Sequence, residues 1–189
     1  GIIPQTSDEN EYKKYIKINT LFPHKLQDIA NKFNAKLIHI STNCVFKGND
    51  GYYSESHKPN NDNIYGVTKS LGEIKNATVI RTSIIGHENF ERKSLLEWII
   101  SKKNLSIKGY INHFWNGVTC LTLANIIKNI IEKNLYWNGI RHIFSPNTVS
   151  KYQLCCMIND TYNLNINIEK FQTDKSSNHT LATNFDISK

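Results

Sequence analysis

IHISTNCVFKGNDGYYSESHKPNNDNIYGVTKSLGEI, from Ile38 to Ile74, is the stretch that decides how this chain folds. It begins with a short apolar run that ends at Ser41 and Thr42, a pattern that predicts a buried strand with hydroxyl groups at its end. A loop rich in Gly, Asn, Asp and Pro follows. The stretch then becomes helical and carries Tyr65 and Lys69 four residues apart.

Helical and strand-like patterns alternate on both sides of this stretch. The spacing of apolar residues predicts helices over 9–34, 64–74, 95–101, 121–133 and 151–162, with Asp8 as N-cap of the first and Pro23 as an interruption or kink in it. Short apolar runs predict strands over 35–40, 78–85, 142–145 and 166–171. Helices that alternate with continuously apolar strands predict an α/β fold with a doubly wound parallel sheet, covered on both faces.

Polar residues follow two of the predicted strands directly. Ser41 and Thr42 end one strand, and Arg81, Thr82 and Ser83 lie near the end of another. Ligands of open α/β sheets bind beyond the carboxyl ends of the strands. We therefore expect the chemistry of this protein at these two strand ends.

Tyr65 and Lys69 share one face of a helix because they are four residues apart. A neighbouring ammonium favours the phenolate and lowers a pKa that starts near ~10, which would suit proton transfer near neutral pH. Chance alone also produces this spacing in a chain with nine tyrosines. A tyrosine packed on its own helix beside a solvated lysine is therefore the alternative interpretation of the pair.

Taken whole, the quoted stretch resembles the signature ST-D-x-VF-x-G…Y-x-E…P…YG-x-S/T-K…GE of the extended short-chain dehydrogenase/reductases. It is most similar to their dTDP-4-dehydrorhamnose reductase-like branch of nucleotide-sugar enzymes. The flanking pieces NTLFPHKLQDIA, VIRTSIIG and GYINHFWNGVTCLTLANII agree, so the resemblance covers nearly all of residues 1–170. It implies a Rossmann-like fold and an NADP- or NAD-dependent reductase that acts on a 4-keto-6-deoxy nucleotide sugar in polysaccharide or glycan precursor synthesis.

The resemblance also implies roles for individual residues. Tyr65 would be the general acid that protonates the sugar ketone, and Thr42 would hydrogen-bond the same carbonyl oxygen. Lys69 would lower the pKa of Tyr65 and hydrogen-bond the nicotinamide ribose. The remaining implied contacts are Gly1, Ile2, Arg81 and Ser83 for the cofactor, and Asn43 for the substrate. Asn112 and Trp115 are candidates for the wall of a sugar-nucleotide pocket, since aromatic faces often line such pockets, and an ordinary pair of core aromatics, Phe114 and Trp115, is the alternative interpretation.

Several positions are open to a second interpretation or depart from the family pattern. Arg81 could equally satisfy the backbone groups at the end of its own strand. Gly66 would allow a ligand to approach Tyr65 closely. Asn43 stands where family members usually carry Asp, which removes a charge but keeps the capacity for hydrogen bonds. Lys108 and Arg141 are candidates for contact with a diphosphate, or simply solvated charges.

The glycine-rich turn expected of a nucleotide-binding fold is missing. None of the nine glycines forms G-x-x-G-x-x-G, and Gly1 to Ile3 resembles the loop that follows the fourth strand of the family. We expect roughly 70–80 residues of the nucleotide-binding unit to lie upstream. Residues 1–105 would then be the remainder of an NAD(P)-binding Rossmann domain with the catalytic residues. Residues 106–189 would be a mixed region that binds substrate and returns Rossmann elements.

Composition limits the class of partner. The net charge of +7 is spread over scattered lysines, so we expect no dedicated nucleic-acid surface. No window approaches the ~20 apolar residues of a membrane span, and no leader precedes the first helix. Four cysteines without a C-x-x-C pair favour free thiols in the cytoplasm. A nucleotide sugar is the expected partner, and a homodimer is compatible with the resemblance.

Two other functions compete with reduction. A non-catalytic regulatory or scaffolding relative of the same fold would explain the missing glycine turn, whereas intact Thr42, Tyr65 and Lys69 speak against it. A nucleotide-sugar epimerase or dehydratase lies within the same superfamily. Dehydratases tend to carry acidic residues directly after the strand-end Thr, and Asn43 and Cys44 stand there instead.

Overall fold

The computed structural model describes residues 1–4, 11–88 and 93–185 of this α/β protein. The helices are α1 Tyr12–Tyr15, α2 Phe22–Lys32, α3 Ile64–Leu71, α4 Leu95–Ile100, α5 Cys120–Glu132 and α6 Lys151–Tyr162. The strands are β1 Ile38–Ile40, β2 Thr78–Arg81, β3 Ile84–Ile85, β4 Ser106–Tyr110, β5 His113–Trp115, β6 Val118–Thr119, β7 Gly139–His142, β8 Val149–Ser150, β9 Asn167–Phe171 and β10 Ser177–Asn178. Among the described helices, none combines the length and the apolar character that a bilayer crossing requires.

The central sheet holds three parallel strands in the order β1-β2-β7. Neighbouring residues of β2 point to opposite faces, and both faces are covered. Ile80 packs with Leu123 and Ile130 of α5 on one face, and Val79 packs with Ile74 on the other. A parallel sheet buried on both faces confirms the predicted fold class.

Smaller sheets follow the central one. Strands β4 and β9 pair in parallel, β3 pairs with β6, and β5 lies between β10 and β8. Helices α4 and α6 pack on this part through a cluster that includes Ile99, Ile107, Leu154 and Ile158. The paired strands of these smaller sheets are ten residues or more apart along the chain, so long-range contacts hold this part of the molecule together.

Pro23 shapes the first helical segment, which is confirmed from Tyr12 onward. A proline nitrogen has no hydrogen to donate to the carbonyl four residues earlier, here that of Asn19. The chain widens into a π-helical turn over Ile16–Leu21 between α1 and α2. The predicted start at 9 and the Asp8 cap lie outside the described residues.

Two strand predictions were wrong in their bounds. The strand predicted over 142–145 is β7, Gly139–His142, because the chain leaves the sheet after His142 and the Ser145 amide bonds Asn116 instead. The run predicted over 78–85 is two strands, β2 and β3, which belong to different sheets. The break falls at Thr82 and Ser83, whose carbonyls accept hydrogen bonds from Asn43 and Val118.

A buried ion pair joins the end of α3 to the ends of β1 and β2. Arg81 donates from Nε to one oxygen of Glu73 at 2.7 Å and from Nη2 to the other at 2.6 Å. The two side chains are 2% and 5% exposed. The Ser41 hydroxyl donates to the same carboxylate at 2.7 Å. A two-pronged pair of this kind holds both partners in one orientation.

Residues 177–185 form a strap across the carboxyl ends of the central strands. The Asn43 amide donates to the carbonyl of His179 at 3.0 Å. The side chain of Asn116 donates to the carbonyl of Leu181 at 2.8 Å and accepts from its amide at 2.9 Å. The strap is therefore attached through buried side-chain amides as well as through backbone bonds.

His142 attaches the strap at the end of β7. Its Nδ1 lies 3.0 Å from the carbonyl oxygen of Tyr53 and 2.9 Å from that of Ala182, so Nδ1 carries the hydrogen. Nε2 is buried and has no partner among the described residues. Burial lowers the pKa of His142, against the opposing pull of the Glu55 carboxylate. The imidazole is therefore held neutral.

Glu73→Gln keeps the shape of the side chain but leaves the buried Arg81 charge without its counter-ion. We expect the free energy of unfolding to fall by about 3–5 kcal/mol, measured by urea denaturation. Glu132→Gln is the control, because Glu132 forms an exposed pair with Lys128 on α5 at 3.8 Å and should change stability by less than about 1 kcal/mol. Equal losses in the two variants would contradict a structural role for the buried pair.

Acid should destabilise the fold through its buried histidines. Burial lowers the pKa of His142 and His179, and it lowers the pKa of His39 to about 4. Below the ordinary value of 6.5 the unfolded chain binds protons that the folded chain does not, so stability should fall as the pH falls from 6.5 towards 4. Urea midpoints measured across this range should fall less steeply in His142→Gln than in the wild type. Identical slopes would contradict the neutral state of His142.

Candidate functional site

A cavity of about 680 Å³ opens at the carboxyl ends of β1 and β2. Its size is that of a pocket for a small-molecule ligand. The structure brings Thr42, Tyr65 and Lys69 together in its wall. The other described residues of the lining are Gly1, Ile3, Pro4, Ile40, Ser41, Asn43, Cys44, Asn61, Asn63, Thr82, Ser83, Ile84 and His179.

Thr42 and Tyr65 both line this cavity, and the Thr42 hydroxyl acts on the Tyr65 phenol by lowering its pKa. Thr42 is 8% exposed, and its oxygen accepts the amide hydrogen of Cys44 at 3.1 Å, where it caps a short 3₁₀ turn. Burial raises the pKa of Tyr65 to about 12, although the Thr42 hydroxyl pulls in the opposite direction. The phenol is therefore fully protonated at neutral pH and is equipped to donate a proton.

Lys69 is directed to a backbone carbonyl. Its ammonium donates to the carbonyl oxygen of Ile40 at 2.8 Å, at the last residue of β1. Burial lowers the pKa of Lys69, while the Glu73 carboxylate raises it. Burial dominates the pKa of Tyr65 and raises it, so a lowering of that pKa by Lys69 stays a prediction.

Asn19 holds the first residues of the chain beside the cavity. This side chain, 1% exposed, accepts the amide hydrogen of Ile2 at 2.8 Å and donates to the Ile2 carbonyl at 2.9 Å. A β-carbon on Gly1 would lie 2.9 Å from the Asn19 oxygen and 3.8 Å from the Lys69 nitrogen. Gly1 thus lines the cavity, whereas Ile2 acts through its backbone. Asn19 was not predicted from the sequence. The one feature that could have indicated its position is Pro23, four residues later.

Gly66 is required by the backbone and not by a ligand. A β-carbon at this position would lie 2.5 Å from the carbonyl oxygen of Cys44 and 2.8 Å from Asn61. Helix α3 thereby packs directly on the turn that follows β1, and Asn63 caps its first turn. The expectation of ligand approach at Gly66 is corrected accordingly, since this contact sets the distance between Tyr65 and Thr42.

Two other expected contacts lie elsewhere. Two nitrogens of the Arg81 guanidinium, Nε and Nη2, donate to Glu73, and the guanidinium carbon lies 5.2 Å from the Phe46 ring centroid. Arg81 is therefore not exposed to a cofactor. The Asn112 side chain donates to the carbonyl of Thr173 at 2.8 Å and accepts from its amide at 3.1 Å. Asn112 therefore ties two loops together and does not line the cavity.

Asn43 lines the cavity with its side chain, which also bonds the strap. Its amide hydrogen reaches the carbonyl of His179, a bond that an aspartate could not form because an ionised carboxylate only accepts. The departure from the family's Asp thus has a structural use here. Burial raises the pKa of the adjacent Cys44 thiol, which leaves it protonated and a poor nucleophile.

A second cavity of about 370 Å³ adjoins the first, with Ile3, Ser83 and Ile84 in the walls of both. The Trp115 indole donates to the Ser83 hydroxyl at 2.8 Å. These two predicted residues therefore meet at the boundary between the cavities. The further lining residues are Ile85, Gly86, His87, Glu88, Lys93, Ser94, Leu95, Cys120, Lys151 and Leu154.

The chain offers no alternative metal chemistry in the region described. No group of three or more His, Cys, Asp or Glu side chains converges there to hold a metal ion. His87 bonds Glu97 at 2.9 Å and the Tyr162 hydroxyl at 3.0 Å, as expected of a loop histidine. All four cysteines are free thiols, as predicted.

The first cavity suits a nicotinamide cofactor on its own features. The wall at Gly1 is bare of side chain, Lys69 presents an ammonium there, and Tyr65 lies on the same helix face as Lys69. An amine and a hydroxyl beside an open backbone can bond a ribose and a polar ring substituent. Gly1, Lys69, Tyr65 and Ser83 are the described residues that would hold such a group.

Comparison with known proteins places these features in a family. The chain is 29% identical to methionine adenosyltransferase 2 subunit beta of Danio rerio over 141 residues, which cover 68% of this chain and 44% of that protein. It is 26% identical to the spore coat polysaccharide biosynthesis protein SpsK of Bacillus subtilis over 182 residues, 91% of this chain and 62% of that one. The chain thus spans about half the length of the curated relatives it matches.

The fold has well-matched solved counterparts. The dTDP-4-dehydrorhamnose reductase of Bacillus anthracis, solved in complex with NADP, superposes with a TM-score of 0.79 at 21% sequence identity, covering 97% of this chain and 68% of that one. The extended short-chain dehydrogenase/reductase fold expected from the resemblance is confirmed. The family model described as RmlD substrate binding domain matches residues 6–181. Since that match takes in nearly the whole chain, the chain belongs to the RmlD substrate binding domain family.

Proposed function

We propose that this protein reduces the keto group of a 4-keto-6-deoxy nucleotide sugar with NADPH or NADH. The observation that carries the proposal is the protonated Tyr65 phenol in a cavity that Thr42 and Lys69 also line. Similarity to a polysaccharide biosynthesis protein and to a dTDP-4-dehydrorhamnose reductase supports the substrate class.

Reduction of a ketone needs a proton at the oxygen as well as a hydride at the carbon. A bound NADPH or NADH would supply the hydride. The carbonyl oxygen gains negative charge in that step, and Tyr65 donates its hydroxyl proton there to form the alcohol. The Thr42 hydroxyl, which lines the same cavity, donates a hydrogen bond to the same oxygen and holds it in place.

Lys69 serves the step after the proton has left Tyr65. A phenolate buried in this cavity is unstable, as the raised pKa of Tyr65 shows. The ammonium of Lys69, on the same helix face, stabilises that negative charge until the phenol is protonated again. Its bond to the Ile40 carbonyl keeps it from turning to solvent.

Reduction is favoured over dehydration by the residues beside Thr42. Asn43 commits its amide to the strap, and the Cys44 thiol is kept protonated by burial. Among the described residues that line this cavity none is a carboxylate, the group that would serve as a second acid or base for the elimination of water. The same deficiency speaks against an epimerase that relies on an additional carboxylate.

A second candidate is a non-catalytic regulatory subunit. The similarity to methionine adenosyltransferase 2 subunit beta from several vertebrates favours it. Under this hypothesis the protein changes the rate of a methionine adenosyltransferase and turns over no sugar. Addition of the purified protein to the methionine adenosyltransferase of its own source tests this, with the rate of S-adenosylmethionine formation as the readout.

Tyr65→Phe removes the donated proton and little else. We expect the reduction rate to fall by roughly 10²–10⁴-fold, because a positioned general acid contributes about that much. The measurement is the oxidation of NADPH or NADH with a 4-keto-6-deoxy nucleotide sugar, alongside a thermal melt that should remain within a few degrees of wild type.

Tyr52→Phe is the matched control, since Tyr52 is 60% exposed and lines neither cavity. Its rate should equal that of the wild type. If the wild type and Tyr65→Phe proved equally slow, the reductase proposal would be rejected, and the regulatory candidate would take its place.

A further inference from the structure

Lys151 is a lysine in an unusual place. It is the first residue of α6, directly after the capping Ser150, and its side chain is half-buried, enough for burial to lower the pKa of its ammonium. The side chain lines the second cavity, and its nitrogen lies 5.9 Å from the ring centroid of Trp115. A buried lysine normally has a carboxylate partner.

No such partner exists in the ranges that the structure describes. The ion pairs found there involve other lysines, and Lys151 is in none of them. The titratable groups that face it are Cys44, Cys155 and His179. Burial raises the pKa of both thiols, so neither offers a negative charge at neutral pH. The positive charge is therefore not compensated within this part of the fold.

Its position on α6 adds to the imbalance. Backbone N–H groups at the start of a helix already create positive potential, which disfavours a cation in the first turn. The capping box between Ser150 and Gln153 satisfies backbone groups but brings no negative charge. Helix stability therefore gives no reason for a lysine here, whereas an anionic ligand would relieve both sources of positive potential.

The surrounding cavities share this positive character. The described lining of the second cavity contains Lys93 and Lys151 against one carboxylate, that of Glu88. One oxygen of Glu88 accepts backbone hydrogens of Lys93 and Ser94 at 2.7 and 2.8 Å. The first cavity adds Lys69 and, among its described lining, no carboxylate.

Lys151 also lies near the boundary between the two cavities, because its ammonium is over Trp115, whose indole bonds Ser83 in the walls of both. It faces Cys44 and His179, which line the first cavity, while its own side chain lines the second. The first cavity holds the Tyr65 hydroxyl, and the second offers the apolar walls of Trp115, Leu154 and Leu95. A molecule with its reacting end at Tyr65 and an apolar-faced ring against Trp115 would therefore come close to Lys151, which lies over that ring.

We propose that Lys151 binds the diphosphate of the nucleotide sugar and so places the sugar at Tyr65 and the nucleoside in the second cavity. This assignment rests on the proposed function for the identity of the sugar end. The linking group of such a substrate is doubly charged, which fits a lysine that lacks an internal counter-ion. The Trp115 ring, 5.9 Å from the Lys151 nitrogen, bonds Ser83 at the boundary between the cavities.

Lys108 and Arg141, which the sequence suggested for contact with a diphosphate, lie elsewhere. Lys108 is stacked over Phe171 with its nitrogen 4.2 Å from the ring centroid. The Arg141 guanidinium lies over Trp137 and over Phe185, 4.9 and 4.6 Å from their centroids. Neither residue lines either cavity.

Binding of thymidine 5′-diphosphate and of uridine 5′-diphosphate, compared with the matching uncharged nucleosides, tests the assignment by calorimetry. In Lys151→Met we expect affinity for the better diphosphate to fall about 10–100-fold, the range of a lost charge-assisted bond, with nucleoside affinity unchanged. Lys151→Arg should retain most of the affinity. High salt should narrow the difference between wild type and Lys151→Met.

Lys108→Met is the matched control, because it also removes a lysine stacked on an aromatic ring but lies outside both cavities. It should bind the diphosphate as the wild type does. The thermal midpoint of Lys151→Met should equal or exceed that of the wild type, since an uncompensated buried charge is lost.

The assignment is overturned if Lys151→Met binds the diphosphate as tightly as the wild type does. It is equally overturned if that variant loses diphosphate and nucleoside affinity alike, or if the wild type binds neither diphosphate better than its nucleoside. These measurements need no turnover. Absence of sugar reduction with the expected Lys151→Met result would reject the reductase proposal alone.

Discussion

The bidentate ion pair between Glu73 and Arg81 is the constraint on which the site depends. Two opposite charges that are almost fully buried tolerate only the geometry in which both stay paired, because separation leaves each desolvated. This pair fixes the end of α3 against the ends of β1 and β2, with Ser41 as a third contact. Gly66 then lets the same helix touch the turn after β1. The phenol of Tyr65 therefore meets Thr42 through rigid backbone and not through flexible loops.

The charged side chains around the site fall into two groups. The paired charges of Glu73 and Arg81 lie beneath the site and stabilise it, while Lys69 faces a cavity whose described lining has no carboxylate, and Lys151 faces one whose described lining has the carboxylate of Glu88. A surplus of positive charge around a protonated phenol suits a reaction in which negative charge develops on an oxygen. It suits an anionic substrate for the same reason.

Local patterns were sufficient for much of the fold. Periodicity predicts the bounds of α6. Periodicity and turn residues also predict that a strand, two hydroxyl residues, a loop and a helix follow one another in the stretch around Thr42 and Tyr65. Both signals depend only on residues that are neighbours along the chain. The role of Arg81 does not, because its partner Glu73 is defined only when α3 packs on the sheet. The position of the Asn19 side chain follows from a π-helical turn. The role proposed for Lys151 follows from the absence of an ionic partner among the described residues, which only the three-dimensional structure reveals. Strands of two residues, such as β8 and β10, are too short to show any period.

The strap has a consequence for how this protein is made. His179 completes the wall of a cavity whose other residues begin at Gly1, and it is bonded there by Asn43. During synthesis the ribosome must therefore have released almost the entire length from Gly1 to His179 before that wall can form. Nascent chains that stop short of this point would carry Thr42, Tyr65 and Lys69 around an open, hydrated cleft.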